Sequence, residues 1–370
     1  MEYSTEKTNI AVIGGGNIGT QFACVCASKG YKVNLYSTKP ERFGDTIEMI
    51  YEKHICITGK LHLVSNDLCS VIEDASLIFV TYPAFMFADF ARQLSSAIRP
   101  GTIIVVLPGT GGAEYAFWDC IKKGAIIIGL QRVPMVARLE EYGKIVRCEG
   151  MRDELFYAKI PGTGEIGDFP GFMKMLWGIS CTELPNYLCV TLTPSNPILH
   201  TTRLRVLFKD YGKGKRYERN PLFYGEWDDE SSELLLLCDS ELQELLKRLD
   251  EMDLSSVRSL RTHYGCDTIE GLTQKLRSIK SLHSLSSPMK KAEDAWIPDF
   301  DSRYFKADYA YGLAIIEEFM DIAQCEAPNI RETMDWYRSI SGDNAFFDIR
   351  QYGINCKEDI YDFYSGKSGQ

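Results

Sequence analysis

Several features are missing from this sequence, and each absence removes a class of protein. Its apolar runs, such as AIIIGL at 125–130, are far too short for a bilayer, which takes about 20 residues. Against a formal net charge of -10 no block of lysine or arginine stands out. There is thus no footprint for a nucleic-acid backbone, and an anionic membrane surface is disfavoured as a partner. The twelve cysteines include no CxxC pair and the five histidines lie far apart, so no metal-ligand spacing arises. The opening MEYSTEKTNI has no apolar core, so no secretory signal is expected. The thiols are accordingly expected to be reduced, mostly buried as small hydrophobes, in a cytoplasmic protein. Internal repeats and low-complexity tracts are absent too.

What remains is an ordinary globular composition, 45% hydrophobic and 25% charged, in 370 residues, enough for two domains. NIAVIG (9–14), KVNLYS (32–37), SLIFVTY (76–82), TIIVVLPG (102–109) and AIIIGL (125–130) read as buried strands. Segments of helical length lie between them, such as GTQFACVCASKG (19–30) and FADFARQLSSAI (87–98). That alternation predicts βαβ units and a doubly wound parallel sheet. KIVRCEG (144–150) and LFYAKIPG (155–162) are expected to extend it. After SNP the texture becomes helical, as in ESSELLLLCDSELQELLKRLDEM, with SLSSPMKKAEDAWIPDFDSRY (284–304) as a loop. The fold class is α/β: an N-terminal doubly wound Rossmann domain over 1–185, then an all-α C-terminal domain over 186–370.

The first strand runs into Gly14-x-Gly16-x-x-Gly19, with Asn17 and Ile18 at the start of a helix. Glycines here let the backbone turn sharply and approach a pyrophosphate, which then faces the helix N-terminus. Dinucleotide binding follows. An NAD-preferring site places an acid at the tip of the second strand, but this chain reads LYSTKPER. Ser37, Thr38, Lys39 and Arg42 offer donors suited to a 2′-phosphate, and no acid appears until Glu41. NADP(H) is therefore favoured over NAD(H). Two further strand-end loops face the same crevice of such a sheet. They put Pro83 and Ala84 near the nicotinamide ribose and allow a close backbone approach at Gly109, although both can equally be plain tight turns.

In SNPILH, Ser195 or Asn196 suits an N-cap and Pro197 the first helical position, which puts His200 in the first turn. The helix dipole there favours a neutral imidazole unless a carboxylate compensates. DSRYFKADYAYGL at 301–313 offers Arg303 and Asp308. In an unbroken helix they would point about 140° apart, so a loop-to-helix junction is needed for both to converge on His200. Phe223, Tyr224 and Trp227 can be core or pocket residues.

These elements together resemble the octopine/nopaline (opine) dehydrogenase family: the Gly14-x-Gly16-x-x-Gly19 domain, Asn196-Pro197-x-x-His200, Arg303-Tyr304 with Asp308, and Tyr311-Gly312-Leu313. CEAPNIRETMDWY (325–337) is similar to a further family segment, and Arg138 matches within VPMVARL. The resemblance implies reductive amination, in which an amino acid's amine condenses with a 2-keto acid such as pyruvate and a nicotinamide hydride reduces the imine. It makes His200 and Asp308 the catalytic acid/base pair. Arg303 would bind a substrate carboxylate, and Asn196 would bind substrate or cofactor. Two departures touch the choice of substrate. Gln131 stands where many members carry an acid, and PAFMFADF lacks the histidine that often follows PAF.

Two other functions share the plan. A keto- or hydroxyacid reductase of the ketopantoate-reductase type would need no amine, but its usual lysine is not evident near residue 200. A catalytically inactive NADP(H)-sensing protein would bind the nucleotide and do nothing more. The expected partners are small molecules alone, with a homodimer left open.

Overall fold

The computed structural model describes residues 2–51, 55–211, 215–342 and 345–367. Two units divide the chain: Met1–Thr191 with Tyr364–Gly366, and Leu192–Phe363 with Lys367–Gln370. The division thus falls a short way beyond the 185/186 boundary expected from the sequence.

The first unit carries, in chain order, β1 (Asn9–Ile13), β2 (Lys32–Tyr36), β3 (Thr46–Tyr51), β4 (Ile55–Lys60), β5 (Leu63–Ser65) and β6 (Leu77–Val80). It continues with β7 (Ile103–Val106), β8 (Ile126–Leu130), β9 (Val136–Glu141), β10 (Ile145–Glu149), β11 (Glu154–Lys159) and β12 (Ser180–Glu183). One sheet has the order β12-β11-β8-β7-β6-β1-β2-β5. Its centre, β8-β7-β6-β1-β2, consists of the five apolar runs, all paired in parallel. A parallel strand covered on both faces has no polar side, which is why every residue of β6 and β7 is buried.

The two later runs differ in outcome. LFYAKIPG supplies β11, antiparallel to β8, and extends the main sheet as expected. KIVRCEG supplies β10, which belongs instead to a second sheet of order β4-β3-β10-β9. Its residues alternate between half-buried and buried, the pattern of a strand with one covered face. The covered face lies on the Asn17–Ser28 helix. There Cys24 Sγ donates to the Ile47 carbonyl at 3.2 Å, and a Cβ added to Gly59 would lie 2.4 Å from the Cys24 carbonyl oxygen. Burial pushes the Cys24 thiol up to about 12, so it packs as a small protonated group. On the opposite side of the helix, Phe22 meets Phe79 and Trp177 with ring centroids 5.0 and 4.8 Å away.

The second unit is built on the helices Pro197–Leu207, Asp229–Arg248, Ala314–Ile322 and Pro328–Ser341. The stretch expected as a loop at 284–304 holds one hairpin, β13 (Met289–Ala292) and β14 (Ala295–Pro298), so the helical unit carries a small amount of strand. Burial explains how its longest helix forms. Leu235, Cys238, Leu242 and Leu245 recur at helical spacing and are all fully buried, while Asp228 caps the N-terminus by accepting from the Ser231 N–H at 2.8 Å.

Near the C-terminus Tyr364 packs into the first unit, donating to Glu114 Oε1 at 2.7 Å with its oxygen 2.8 Å from the Tyr115 hydroxyl. Thr191 donates to the same carboxyl oxygen. Glu114 is fully buried, and that burial pushes its carboxyl from 4.5 up to about 7. A value raised on folding means that the protonated form favours the native state. Its stabilisation is complete below about pH 4.5 and is lost as pH rises through about 7. Chemical unfolding across this window should show native stability falling by about 3 kcal/mol through this group, and Glu114→Gln should flatten that slope. An equally steep profile in the variant would contradict the assignment.

Candidate active site

The nucleotide loop assigns each glycine a different physical reason. Gly14 takes φ +107°, a conformation open to glycine. Gly19 lies against the strand, since a Cβ there would come 1.7 Å from the Gly14 carbonyl oxygen. Gly16 is exposed, with nothing within 4 Å of where its Cβ would be. One glycine makes the turn, one permits helix–strand contact, and the middle one leaves room for a phosphate. No acid lies in the helix's first turn to compete with an anion for the N–H groups. Asn17 accepts from the Leu139 N–H at 2.9 Å, tying β9 to the loop, and Ile18 packs half-buried against the core. These residues fit a dinucleotide pyrophosphate.

At the tip of β2, Ser37 is buried, and its hydroxyl accepts from the Lys39 N–H at 3.1 Å. Thr38, Lys39 and Arg42 are exposed. Between β9 and β10 stands Tyr142, which the sequence did not single out. Its hydroxyl lies 3.4 Å from Ser37 Oγ, its ring lies 4.5 Å beneath the Arg42 guanidinium, and Phe43 meets it edge-on. The second sheet therefore delivers an aromatic wall to the donors expected at the ribose. Pro83 and Ala84 follow β6, half-buried, with Ala84 opening a short 3-10 turn to Met86. Gly109 is accounted for by packing: a Cβ would lie 2.4 Å from Gly129 Cα, and Tyr187 donates to its carbonyl at 3.0 Å.

In the second unit, His200 lies in the first turn of the Pro197–Leu207 helix, 6% exposed. Asn196 occupies the N-cap position without a side-chain cap bond and is exposed. Asp308 Oδ2 stands 2.8 Å from His200 Nδ1, and the Tyr224 hydroxyl 3.0 Å from Nε2. The junction between Arg303 and Asp308 is not the loop-to-helix one expected but a change of helix type. A short helix, Arg303–Lys306, gives way to a π-helical segment, Asp308–Leu313, and such segments often occur at functional sites. That segment is fixed to the histidine's own helix. Tyr309 donates to the Thr201 carbonyl at 2.7 Å, and a Cβ at Gly312 would come 3.2 Å from the Pro197 side chain. Arg303 is exposed, its guanidinium 5.5 Å from the Tyr304 ring, and that ring packs 4.6 Å from the imidazole.

Two residues that sequence reasoning did not place hold this arrangement. Tyr224, left open as core or pocket, touches the imidazole directly. Arg203, one turn beyond His200 and 1% exposed, donates to the carbonyls of Phe223 and Glu226 at 3.2 and 2.6 Å and to Asp228 at 2.6 Å. A buried arginine is rarely tolerated without such partners, and its i+3 relation to His200 was the available signal. Among the described residues no cluster of metal-ligating side chains occurs.

Comparison with known proteins adds an independent line. Residues 183–341 match the alpha-helical domain of NAD/NADP octopine/nopaline dehydrogenase, and residues 9–112 the N-terminus of NAD-dependent glycerol-3-phosphate dehydrogenase. The opine dehydrogenase of Haliotis discus hannai is 28% identical over 366 residues, 90% of this chain and 90% of its own. The tauropine dehydrogenase of Arabella iricolor is 24% identical over 365 residues, 90% of this chain and 91% of its own. A solved octopine dehydrogenase with NADH and L-arginine shares the fold at a TM-score of 0.83 and 21% identity, over 98% of this chain and 99% of that one. The chain is thus similar to opine and tauropine dehydrogenases over nearly its whole length, and its helical unit matches the alpha-helical domain of octopine/nopaline dehydrogenase.

Proposed function

We propose that this protein catalyses the NAD(P)H-dependent reductive condensation of an amino acid with a 2-keto acid such as pyruvate, giving a secondary amine. The observation that carries this reading is the 2.8 Å bond between His200 Nδ1 and Asp308 Oδ2 in a buried position. The chemistry needs two proton movements. An amino acid arrives as an ammonium and must lose a proton before nitrogen attacks the keto carbon. The resulting carbinolamine must then gain a proton for its hydroxyl to leave as water. His200 can take the first and return the second, with Asp308 orienting the ring and supporting its charged form. Bound NAD(P)H supplies the hydride that reduces the C=N bond. Arg303 is the clamp for a substrate carboxylate, and Asn196 is a second polar contact for substrate or cofactor.

For the cofactor, the reading favours NADP(H). Ser37, Thr38, Lys39 and Arg42 gather donors where an acid would otherwise take a ribose hydroxyl, and Tyr142 supports Arg42 from below. The cytoplasm is the proposed compartment, in keeping with cysteines that form no disulfide among the described residues and are mostly buried. No helix among the described residues is long and apolar enough to cross a membrane.

Consumption of NADPH should require keto acid and amino acid together; full-rate turnover of keto acid alone would favour a simple keto-acid reductase. His200→Ala should lower kcat by roughly 10²–10⁴-fold while leaving dinucleotide affinity intact. Unchanged turnover in that variant would remove His200 from the chemistry. Fluorescence titration with each nucleotide tests the cofactor reading separately. Arg42→Ala should weaken NADPH by roughly 10–100-fold, the loss of one charge-assisted contact, and hardly affect NADH. Equal losses for both nucleotides would count against a 2′-phosphate site.

A further inference from the structure

On the reading above, His200 exchanges protons through Nε2, because Nδ1 is committed to Asp308. Nε2 is already engaged, however, by the Tyr224 hydroxyl at 3.0 Å. We propose that Tyr224 is a positioning residue for proton transfer. By donating its hydroxyl hydrogen to Nε2, it holds His200 as the neutral ring with its proton on Nδ1, and the substrate's ammonium takes its place at that lone pair. This inference rests on the reductive-condensation reading and adds to it the state in which His200 enters the cycle, as a base.

For a neutral His200 ring, the hydrogen-bond inventory gives the direction of both bonds. A carboxylate can only accept, so Nδ1 of the neutral ring carries the proton towards Asp308, and Nε2 is left as an acceptor. Tyr224 is buried, and burial drives its phenol well above the ordinary range, so it keeps its proton and donates. Its position is set by the same helix that carries the histidine. Buried Arg203 pins the carbonyls of Phe223 and Glu226 on either side of it, and the Tyr224 ring stacks on Trp227 with 23° between planes. Phe223 and Tyr304 pack on one side of the imidazole, with ring centroids 5.5 and 4.6 Å from it and 5.1 Å from each other. The ionisable groups around the imidazole are therefore Asp308, Tyr224 and Tyr304, with Arg303 beside Tyr304.

Asp308 and Tyr224 pull in opposite directions. The carboxylate stabilises the imidazolium, whereas the phenol stabilises the Nε2 lone pair. An ammonium N–H is a donor of the same kind as the phenol O–H, so exchanging one for the other keeps Nε2 satisfied and places the proton to be removed on the basic nitrogen. Without the phenol, Nε2 loses the donor that favours its lone pair and presents it towards the substrate.

Nitrogen NMR of the ligand-free, ¹⁵N-histidine-labelled full chain tests this, with the His200 signals assigned by their loss in His200→Ala. The expected result is a neutral ring protonated on Nδ1 in the native protein. In Tyr224→Phe, compared at the same pH, the Nε2 resonance should shift downfield as its hydrogen-bond donor is lost. The kcat/KM for the amino acid should fall by roughly 2–10-fold, the worth of one hydrogen bond, while KM for the keto acid stays nearly constant. A neutral ring protonated on Nε2 would overturn the proposal without any variant, and so would an unchanged Nε2 resonance in a folded Tyr224→Phe. The spectra need no turnover. Failure of amine-dependent activity would therefore strike the functional reading, and the spectra alone would decide the role of Tyr224.

Discussion

A buried hydrogen bond between an imidazole and a carboxylate is the interaction on which the proposed chemistry depends. His200 lies at the positive end of a helix dipole, where a charged ring is disfavoured, and Asp308 offsets that by accepting from Nδ1. The surrounding architecture keeps the pair in register. A π-helical segment carries Asp308, and Tyr309 and Gly312 dock that segment on the helix of His200. One turn further along, Arg203 holds the loop that presents Tyr224. Asp308 and Tyr224 thus reach the two ring nitrogens of one imidazole from elements both fastened to its own helix.

The nucleotide unit follows a comparable logic with backbone in place of side chains. Its glycines trade side-chain volume for a turn, a close contact and an open approach. The second sheet does more than cover the Asn17–Ser28 helix. It bonds Asn17 through Leu139 and brings Tyr142 to Ser37 and Arg42, so the nucleotide loop and the ribose corner are braced by the same four strands.

Much of this was legible in the sequence where physics acts locally. Continuous Val/Ile runs bounded by Gly or Pro identify strands buried on both faces, and β1, β2, β6, β7 and β8 all announce themselves that way. The Gly14–Gly19 spacing also shows itself, because each glycine answers a local geometric need. KIVRCEG was assigned to the main sheet although its alternation is that of a half-covered strand, a signal of period two that distinguishes β10 from its neighbours. Tyr142, Tyr224 and the Glu114–Tyr364 contact lay beyond reach for a different reason. Each acquires its meaning only when chain segments far apart meet, the last across 250 positions. His200 and Asp308, 108 apart, were paired through a family resemblance and not through any local rule.

The central claim is that hydride and amine meet on one carbon. NADPH carrying deuterium at the transferable C4 position, incubated with the protein, an amino acid and pyruvate, tests it directly by mass spectrometry of the products. The account predicts a secondary amine bearing one deuterium on the carbon of the new C–N bond. Deuterium found in the 2-hydroxy acid, with no new C–N bond formed, would contradict it.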